Sequence, residues 1–477
     1  MTSSSENELR DFIASLPYSY KVTAKAEEVK GDYKKFEGKK VSIAGRALAV
    51  RKAGKLVFID ILDQSGKIQA YFDYAVLGEE LFTKAKSFNA GDILGVEGTV
   101  FKTNPGEISI KVSSYEQLSK AIQMLPNKWQ GLQDVETRYR KRYIDLIMNP
   151  EARKIFLTRA KVISLIREYL DNMGFLEVET PFVQPVYGGA DAQPFITHVN
   201  TLNEDQYLRI SLELYLKRLI IGGFERVYEI GKAFRNEDLD TTHSPEYTIL
   251  EWYRSYADYN DTMTMLEELL EFIVKSLFNA TSITYQGKKI DFKAPFKKIK
   301  FVDTLKEKTG KVVTDLNDEE LFELAESNGI KFLKGKRNRV HAYDKLFDVL
   351  VQDSLIQPTF VMDHPRETTP LARPKRGNPK LVERFEIFIN GKELGNCYSE
   401  LNNPIIQKEN FKEQEKRRKQ GDTEAPPQDL DFVDAMEYGM PPNSGFGMGV
   451  DRLIMLLTDK ASIKEVILFP MEKREKK

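Results

Sequence analysis

The segment FRNEDLDTTHSPEYTILEWY, residues 234–253, concentrates side chains that could do chemistry in one short stretch. Its charged and titratable members include Arg235, Glu237, His243, Glu246 and Glu251. Pro245 lies inside the stretch, and the apolar spacing follows neither a helical nor a strand period before about Tyr247. The pattern therefore predicts a loop between two ordered elements, with Arg235 as a candidate phosphate-binding cation.

A second group of carboxylates lies in RFEIFINGKELGNCYSELNNP, residues 384–404. Asn390-Gly391 is typical of a two-residue hairpin turn, which would pair Phe388 with Glu393. Strand alternation then places Glu386 and Glu393 on one face. Two such carboxylates require a cation, and Mg²⁺ prefers oxygen ligands that it shares with nucleotide phosphates. The hairpin therefore predicts a magnesium and nucleotide site.

The polar residues farther along the second strand of this hairpin have the opposite parity. In a regular strand Asn396, Tyr398 and Glu400 would point away from Glu393. A β-bulge near Leu394-Gly395 would bring both sets to one face, and glycine within a strand often marks a bulge. We predict that bulge; the alternative leaves Glu400 on a solvated edge.

Other metal and nucleotide motifs are missing from the sequence. The histidines His198, His243, His341 and His364 do not have zinc-ligand spacing, and there is no P-loop. The glycine-rich run PPNSGFGMGVDRLIMLLTD, residues 441–459, instead offers a backbone that a ligand can approach closely. Its Arg452 can lie flat against an aromatic base.

Length and charge favour two domains whose partners are not selected by overall charge. The chain has 477 residues, with 71 basic and 72 acidic side chains and a formal net charge of -1. The single cysteine, Cys397, is typical of a reducing compartment. Neither a signal peptide nor a membrane span of roughly 20 apolar residues is apparent. We expect a soluble cytoplasmic protein with no membrane partner.

Between Lys39 and about Val112, short β-rich runs predict a small five-stranded barrel. The runs are KKVSIAGRALAV, KLVFIDILD, KIQAYFD, GDILGVEGTVF and EISIKVSS. The segment LGEELFTKAKSF, between the third and fourth strands, has the position of the helix common in oligonucleotide-binding barrels. A fragment of a β-sandwich is the alternative.

The rest of the chain mixes strands and helices, which favours an α+β fold on an antiparallel sheet. Residues 125–149 form a basic, aromatic connection whose cluster RYRKRY is either a phosphate contact or a solvated face. A long helix is predicted from the N-cap Asn149, with Pro150 in its first turn, to Gly174. The charged segment KENFKEQEKRRKQGD, residues 408–422, is predicted to be exposed, without a role in a site.

Three segments together resemble the signature motifs of class II aminoacyl-tRNA synthetases. They are GFLEVETPFVQPVYGGADAQPF, FERVYEIGKAFRNEDLDTTHSPEYTILEWYRSYADY and PPNSGFGMGVDRLIMLLTDKASIKEVILFP. Within that class, the chain from about Pro17 to Pro470 is most similar to the lysyl-tRNA synthetases. The resemblance implies an N-terminal segment with an oligonucleotide-binding barrel (1–125), a linker (126–149) and a catalytic domain (150–477) whose antiparallel sheet is flanked by helices.

The resemblance also implies an activity and its partners. L-Lysine would be activated by ATP to lysyl-adenylate and pyrophosphate, and then transferred to the 3′-terminal adenosine of tRNA(Lys). Arginine and Mg²⁺ would stabilise the in-line attack without a covalent enzyme intermediate. The chain would form a homodimer through the first motif.

The family pattern implies roles for individual residues. For ATP it implies Arg235, Glu237, His243, Tyr247, Glu386 and Arg452, of which Arg235 and Arg452 are catalytic. For Mg²⁺ it implies Glu386 and Glu393. For lysine it implies Gly188, Gly189, Ala190, Glu213, Tyr253, Asn396, Tyr398 and Glu400. For the anticodon it implies Arg46, Phe58 and Gln69. Two of these residues have a plainer alternative. Phe58 could belong to the barrel core, and His243 of the ATP set could simply stabilise its loop.

Some positions depart from the commoner family spelling. Ser211-Leu212 replaces Ala-Pro before Glu213, and Ser244 and Asn403 replace asparagine and aspartate. Two other functions remain open: an enzyme that delivers lysine to a protein or lipid, and a catalytically silent tRNA-binding protein. The barrel disfavours the first alternative, and the retained arginines and carboxylates disfavour the second.

Overall fold

The computed structural model describes residues 3–126, 132, 134–332 and 337–473, with side chains from residue 6 onward. The chain divides into an N-terminal unit, Met1–Gln133, and a C-terminal unit, Asp134–Lys477. Of the predicted linker, residues 127–131 and 133 lie outside the described residues. Its residues from 134 onward belong to the C-terminal unit and form mainly helices.

The N-terminal unit is built on a closed barrel with strand order β1-β2-β3-β5-β4. Its strands are β1 Lys40–Ala53, β2 Leu56–Leu62, β3 Lys67–Asp73, β4 Ile93–Lys102 and β5 Ile108–Ser119. Its helices are α1 Ser3–Ala14, α2 Ala26–Gly31, α3 Tyr33–Phe36 and α4 Tyr74–Lys86. The five predicted strands and the helix between the third and fourth are confirmed.

Alternation along the strands produces the barrel interior, although Asp60 on the outer face of β2 is also buried because it pairs with Arg51 and Lys67. Val57, Ile59 and Ile61 of β2 are fully buried, so the residues between them face outward. Phe58 is one of these outward residues and is only partly buried. The alternative in which Phe58 belongs to the barrel core is therefore wrong.

The C-terminal unit contains an eight-stranded sheet with order β14-β15-β18-β19-β20-β11-β10-β6. Its first elements are α5 Val135–Arg140, α6 Arg142–Met148, α7 Pro150–Asn172, β6 Leu176–Glu177, β7 Val183–Gln184, β8 Ile196–Val199, β9 Glu204–Leu208, α8 Glu213–Ile221, β10 Arg226–Phe234, β11 Glu246–Ser255 and α9 Tyr259–Phe278. Next come β12 Ser282–Tyr285, β13 Lys288–Asp291, β14 Lys297–Lys300, α10 Phe301–Thr309, α11 Asp318–Ser327, α12 Arg339–Leu350 and β15 Thr359–Met362. The last are β16 Pro374–Lys375, β17 Asn378–Val382, β18 Arg384–Ile389, β19 Lys392–Ser399, α13 Pro404–Lys419, α14 Leu430–Glu437, β20 Asn443–Gly449, α15 Val450–Leu457 and α16 Ile463–Val466.

The eight-stranded sheet is antiparallel from β15 to β10, and only the pairings with the edge strands β14 and β6 are parallel. One face packs on the helices α7, α9 and α15 through a large apolar core that includes Trp252, Phe385 and Phe446. Helix α7 begins where predicted, because the Asn149 side chain accepts from the Glu151 amide and Pro150 occupies the first turn. The predicted α+β fold with an antiparallel sheet is confirmed.

The β18–β19 hairpin has the predicted turn and the predicted bulge. Asn390 and Gly391 both adopt positive φ, as a two-residue turn of this type requires. Phe388 pairs with Glu393, but the preceding residue Ile387 pairs with Gly395. Leu394 is thus the extra residue of a β-bulge.

The cluster RYRKRY is at least partly structural. Arg142 is 1% exposed, pairs with Asp145 at 2.6 Å and donates to the carbonyls of Lys464 and Leu468. Arg138 pairs with the same carboxylate at 2.8 Å. These partners hold the C-terminal segment on α6, so Arg142 is not a surface contact for phosphate.

Among the described residues, no helix combines the length and apolarity that crossing a membrane requires.

Candidate active site

The face of the eight-stranded sheet opposite the apolar core borders a cavity of about 490 Å³. All the predicted substrate and metal residues of the C-terminal unit except Gly188 line it. A Cβ atom at Gly188 would lie 2.7 Å from the Leu214 side chain, which places this residue against helix α8. Tertiary structure thus assembles residues that lie more than 200 positions apart in the chain.

Two cross-strand rows form the floor of the cavity. One row is Glu386, Asn396, Gly447 and Glu251, and the next is Arg384, Tyr398, Gly445 and Tyr253. The bulge at Leu394 returns Glu393 to this same face. A Cβ atom at Gly447 would meet no atom closer than 3.5 Å, so the floor is open there. At Gly445, by contrast, a Cβ atom would overlap Tyr253 and Glu400, so only glycine allows those side chains to approach.

One end of the cavity contains buried carboxylates, and we call this the acidic end, defined by Glu213, Glu251 and Glu400. Glu213 and Glu400 each lie 2.5 Å from Nζ of Lys217, which is fully buried. Besides Lys217, the Glu400 carboxylate has the Gly445 amide as a donor, which leaves part of its acceptor capacity for a ligand. Burial raises the pKa of Glu400 to about 8, although Lys217 opposes that shift. The acidic end therefore holds acceptors that need a donor.

The other end, which we call the phosphate end, is defined by Arg235, Tyr247, His243 and Arg452. The Arg235 guanidinium lies 5.5 Å from the centre of the Tyr247 ring, and its Nε has no partner within the described ranges. Burial opposes its charge, but Tyr247 and nearby carboxylates outweigh burial and raise its pKa. Arg235 is therefore a permanent cation with donor capacity left for a ligand.

Arg452 is fixed from two sides at the phosphate end. It donates to the Glu393 carbonyl at 2.8 Å, and its other terminal nitrogen lies 3.2 Å from Nε2 of His243. Nδ1 of His243 lies 2.8 Å from Asp240. His243 thus both stabilises its own loop and contacts Arg452. Glu237 accepts from the Gln193 amide at 2.9 Å, which connects this loop to the Gly189-Ala190 segment.

The proposed metal pair, Glu386 and Glu393, lines the same cavity. Arg384 forms an ion pair with Glu386. Burial raises the pKa of Glu386 to about 8; Arg384 opposes the shift and Glu393 adds to it. A cation beside this pair would favour the ionised form. In the part of the chain that the structure describes, no group of three or more His, Cys, Asp or Glu side chains forms a metal site.

In the N-terminal unit, the three predicted anticodon residues lie on strands β1, β2 and β3. Arg46 pairs with Leu62, while Phe58 pairs with Tyr71 and Gln69 pairs with Asp60 across β2–β3. Phe58 packs edge to face on Tyr71, with ring centres 5.3 Å apart. Gln69 accepts from the Ser109 hydroxyl at 3.0 Å. These strands therefore present an aromatic ring beside polar groups on the outside of the barrel.

Two family models match the chain. The model described as tRNA synthetases class II (D, K and N) matches residues 134–473, and the OB-fold nucleic acid binding domain matches residues 41–118. The first match covers well over half of the chain. The chain is a class II tRNA synthetase of the D, K and N group.

Curated relatives of the synthetase cover nearly its whole length. The lysine–tRNA ligase of Thermoanaerobacter pseudethanolicus is 51% identical over 450 residues, which are 94% of this chain and 90% of that protein. The lysine–tRNA ligase of Clostridium novyi is 48% identical over 462 residues, 96% of this chain and 91% of that protein. The lysine–tRNA ligase of Clostridium botulinum is 48% identical over 459 residues, again 96% of this chain and 91% of that protein.

The synthetase cavity includes residues that the sequence did not assign to a ligand, above all Glu251. This residue is 3% exposed, and its carboxylate accepts from the Ser211 hydroxyl at 3.0 Å and the Leu212 amide at 3.1 Å. Burial raises its pKa to about 7, and the nearby Glu213 adds to that shift. Strand alternation could have indicated this residue in the sequence, because Glu251 precedes the assigned Tyr253 by two positions and so faces the same side.

Ser211, one of the departures from the family spelling, has a clear structural role in the synthetase. Its hydroxyl donates to Glu251 and also accepts from the Glu213 amide at 3.1 Å. It therefore satisfies an amide at the start of α8 and orients a carboxylate in the cavity. Alanine at this position could do neither.

The charged segment that starts at Lys408 is not remote from the site, so that expectation was wrong. It lies mostly on α13, where Gln414 lines the cavity and Arg417 pairs with Asp191 at 2.8 Å. Asp191 follows the Gly189-Ala190 segment directly. A charge-rich helix looks solvated in sequence, but here one of its arginines holds the loop at the cavity rim.

We predict a pH-dependent cost for S211A. Glu251 is mainly protonated in the folded state below its pKa of about 7 and ionised above it. The Ser211 hydroxyl stabilises the ionised form of Glu251 more than the protonated form. Its removal should therefore lower the free energy of unfolding by about 1 kcal/mol near pH 8.5 and by less near pH 6. Urea unfolding at both pH values measures this difference. S327A, which removes a hydroxyl bonded to the Leu324 carbonyl, should cost the same at both; an equal cost for S211A would contradict the assignment.

Proposed function

We propose that the synthetase activates L-lysine with ATP and transfers it to the 3′-terminal adenosine of tRNA(Lys). The observation that carries this proposal is the acidic end of the cavity, where the buried carboxylates Glu213, Glu251 and Glu400 outnumber the one buried ammonium, Lys217, among the described residues. Burying an unsatisfied carboxylate is costly unless a cation or donor completes it. An ammonium group at the end of an apolar chain supplies that donor.

The proposed orientation of lysine follows the two ends of the cavity. Glu400 and Glu251, with Tyr253, Asn396 and Tyr398 beside them, would receive the side-chain ammonium. Glu213 and the Gly188-Gly189-Ala190 segment would receive the α-ammonium. Gly189 has positive φ, and a Cβ atom there would lie 2.9 Å from the Ser211 hydroxyl, so this segment lies directly above the start of α8.

ATP would occupy the phosphate end. Tyr247 and Arg452 would sandwich the adenine over the open glycine floor, Glu237 would lie beside the adenosine, and His243 would contact the outer phosphates. Arg235 would hold the α-phosphate and stabilise the charge that develops as the lysine carboxylate attacks in line. No side-chain nucleophile is required, because the substrate carboxylate attacks directly and pyrophosphate leaves.

The Glu386–Glu393 pair fits Mg²⁺. Both groups offer oxygen ligands, and their mutual repulsion favours a hard cation that completes its coordination with phosphate oxygens and water. Bound there, Mg²⁺ would neutralise charge on the ATP phosphates. Arg384, which forms an ion pair with Glu386, would hold that carboxylate in place.

The barrel would bind the tRNA anticodon. Phe58 would stack on a splayed base, and Arg46 and Gln69 would form hydrogen bonds with base edges or phosphate. A homodimer through the first motif is also proposed, because Leu157, Leu176, Phe182 and Val183 are exposed apolar residues in that region. A cytoplasmic location follows from the proposed use of tRNA.

The first test is pyrophosphate exchange with each of the twenty amino acids, with and without Mg²⁺, followed by charging of tRNA(Lys). We expect exchange with lysine that requires Mg²⁺, followed by charging. Lysine-dependent exchange without charging would favour an enzyme that delivers lysine elsewhere. Absence of exchange with every amino acid would favour a silent binding protein.

We expect kcat/KM for lysine in the exchange reaction to rise from about pH 6 to about pH 8.5. Burial raises the pKa of Glu251 to about 7 and that of Glu400 to about 8, so both become better partners for ammonium as pH rises. E251Q should remove the part of the rise in kcat/KM that is centred near pH 7. At about pH 8.5 it should reduce kcat/KM by about 10- to 100-fold, because a charge-assisted hydrogen bond is lost. KM for ATP serves as the control, and a flat profile for the unaltered enzyme would contradict these assignments.

F58A should separate the two reactions. Loss of one stacked base should raise KM for tRNA(Lys) by about 5- to 150-fold, while lysine-dependent exchange stays unchanged. Y18A is the matched control, because Tyr18 is also an aromatic residue of the N-terminal unit and is fully exposed. Thermal melting checks that F58A remains folded despite its contact with Tyr71. Equal charging by F58A and the unaltered enzyme would remove Phe58 from the anticodon site.

A further inference from the structure

Lys217 is a fully buried lysine directly behind the acidic end of the cavity. It lies on α8 one turn after Glu213, and its Nζ lies 2.5 Å from both Glu213 and Glu400. Lysine is almost never fully buried unless it is paired. Lys217 does not line the cavity itself, so it is placed to act through the two carboxylates.

Within the described part of the chain, the charged groups that face Lys217 belong to the acidic end. From its own helix it meets Glu213, and from the end of β19 it meets Glu400. Strand β11 contributes Tyr253, whose ring centre is 6.0 Å from Nζ, and beyond it Glu251. The next residue of α8, Arg218, pairs instead with carboxylates near α14.

The charges at this end leave a defined deficit. Glu213 and Glu400 pair with one ammonium, Lys217, and Glu251 lines the same end of the cavity, so two negative charges remain there when all three carboxylates are ionised. The amino-acid part of lysyl-adenylate carries two positive charges, on the α-ammonium and the side-chain ammonium. The two negative charges that remain beside Lys217 therefore balance the two positive charges of this amino-acid group.

We propose that Lys217 is a positioning and specificity residue that holds Glu213 and Glu400 together and sets the charge of the pocket to match a dicationic amino-acid group. This inference rests on the proposed activation of lysine. Lys217 connects the carboxylate proposed for the α-ammonium to a carboxylate proposed for the side chain. It fixes their separation, and thereby the length of amino acid that can span them.

Removal of the Lys217 charge has a consequence that a merely structural residue would not produce. Without this cation, Glu213 and Glu400 repel each other, and one of them retains a proton to a higher pH. That protonated carboxyl is a poorer partner for a substrate ammonium. Binding of lysine should therefore weaken and shift to higher pH, while the phosphate end stays intact.

The test compares K217Q, K217M and K217R with the unaltered enzyme in pyrophosphate exchange. K217Q keeps hydrogen-bonding capacity without charge, and K217M removes both. Each neutral variant should raise KM for lysine by about 30-fold or more at pH 7.5, which is typical of truncating a buried charge pair. Each should also shift the rise of kcat/KM upward by about one pH unit. KM for ATP should stay unchanged.

K217R supplies the rescue. It restores the charge on a longer and planar group, so the pH profile should return toward that of the unaltered enzyme, while KM for lysine remains partly raised. K275M is the control, because Lys275 forms the same kind of i,i+4 pair with Glu271 on α9, away from the cavity. It should change neither KM nor the pH profile.

Several outcomes would overturn the inference. One is a K217Q enzyme whose KM for lysine and pH profile match the unaltered enzyme; another is an equal loss of lysine and ATP binding. Circular dichroism establishes folding, and K217Q decides the matter if K217M does not fold. If the unaltered enzyme shows no exchange with lysine, the proposed function itself fails. If it does show exchange but the K217Q profile does not move, only the role of Lys217 fails.

Discussion

One extra residue in strand β19 determines which side chains the catalytic sheet presents to its cavity. Without the bulge at Leu394, alternation would send Asn396, Tyr398 and Glu400 to the apolar face that packs on the helices. With it, both carboxylate sets of the hairpin face the same space. The pair proposed for magnesium and the residues proposed for lysine can therefore belong to one site only because the strand is irregular at this point.

The carboxylates gathered on one face of the sheet need cations or hydrogen-bond donors nearby, and other elements of the unit supply some of them. Burial raises the pKa of each carboxyl at the acidic end, so each needs a cation or several donors to stay ionised. The chain supplies part of this through Lys217 and Ser211, and Arg384 does the same for Glu386. The groups left over among the described residues indicate the proposed ligand: carboxylates outnumber ammonium groups at the acidic end, and Nε of Arg235 has no hydrogen-bond partner.

The segments that close the cavity lie far apart in the chain. The Gly189-Ala190 loop is held by Arg417 of α13, a helix inserted between β19 and β20. Another wall residue, Asp344, comes from α12, which is inserted between β14 and β15. The central sheet thus supplies the chemistry, while inserted helices shape the access to it.

The sequence by itself determined the five strands of the barrel, the hairpin turn, the bulge and the residues predicted for ATP, all of which line one cavity. These depend on local patterns: the Asn390-Gly391 turn specifies a register, and alternation assigns faces. The N-terminus of α7 was likewise readable from Asn149 and Pro150. Motif spacing was enough to identify the family, because each motif occupies one short continuous stretch.

Only the tertiary structure decided the roles of Glu251, Ser211, Lys217 and Arg417. A lysine in LYLKR or an arginine in EKRRK has the same local pattern as a solvated one, so sequence periodicity does not reveal burial. Lys217 depends on Glu400, Arg417 on Asp191 and Ser211 on Glu251, and none of these partners is a neighbour in the chain. Electrostatic compensation acts through space, in a low-dielectric interior that exists only once the chain has folded.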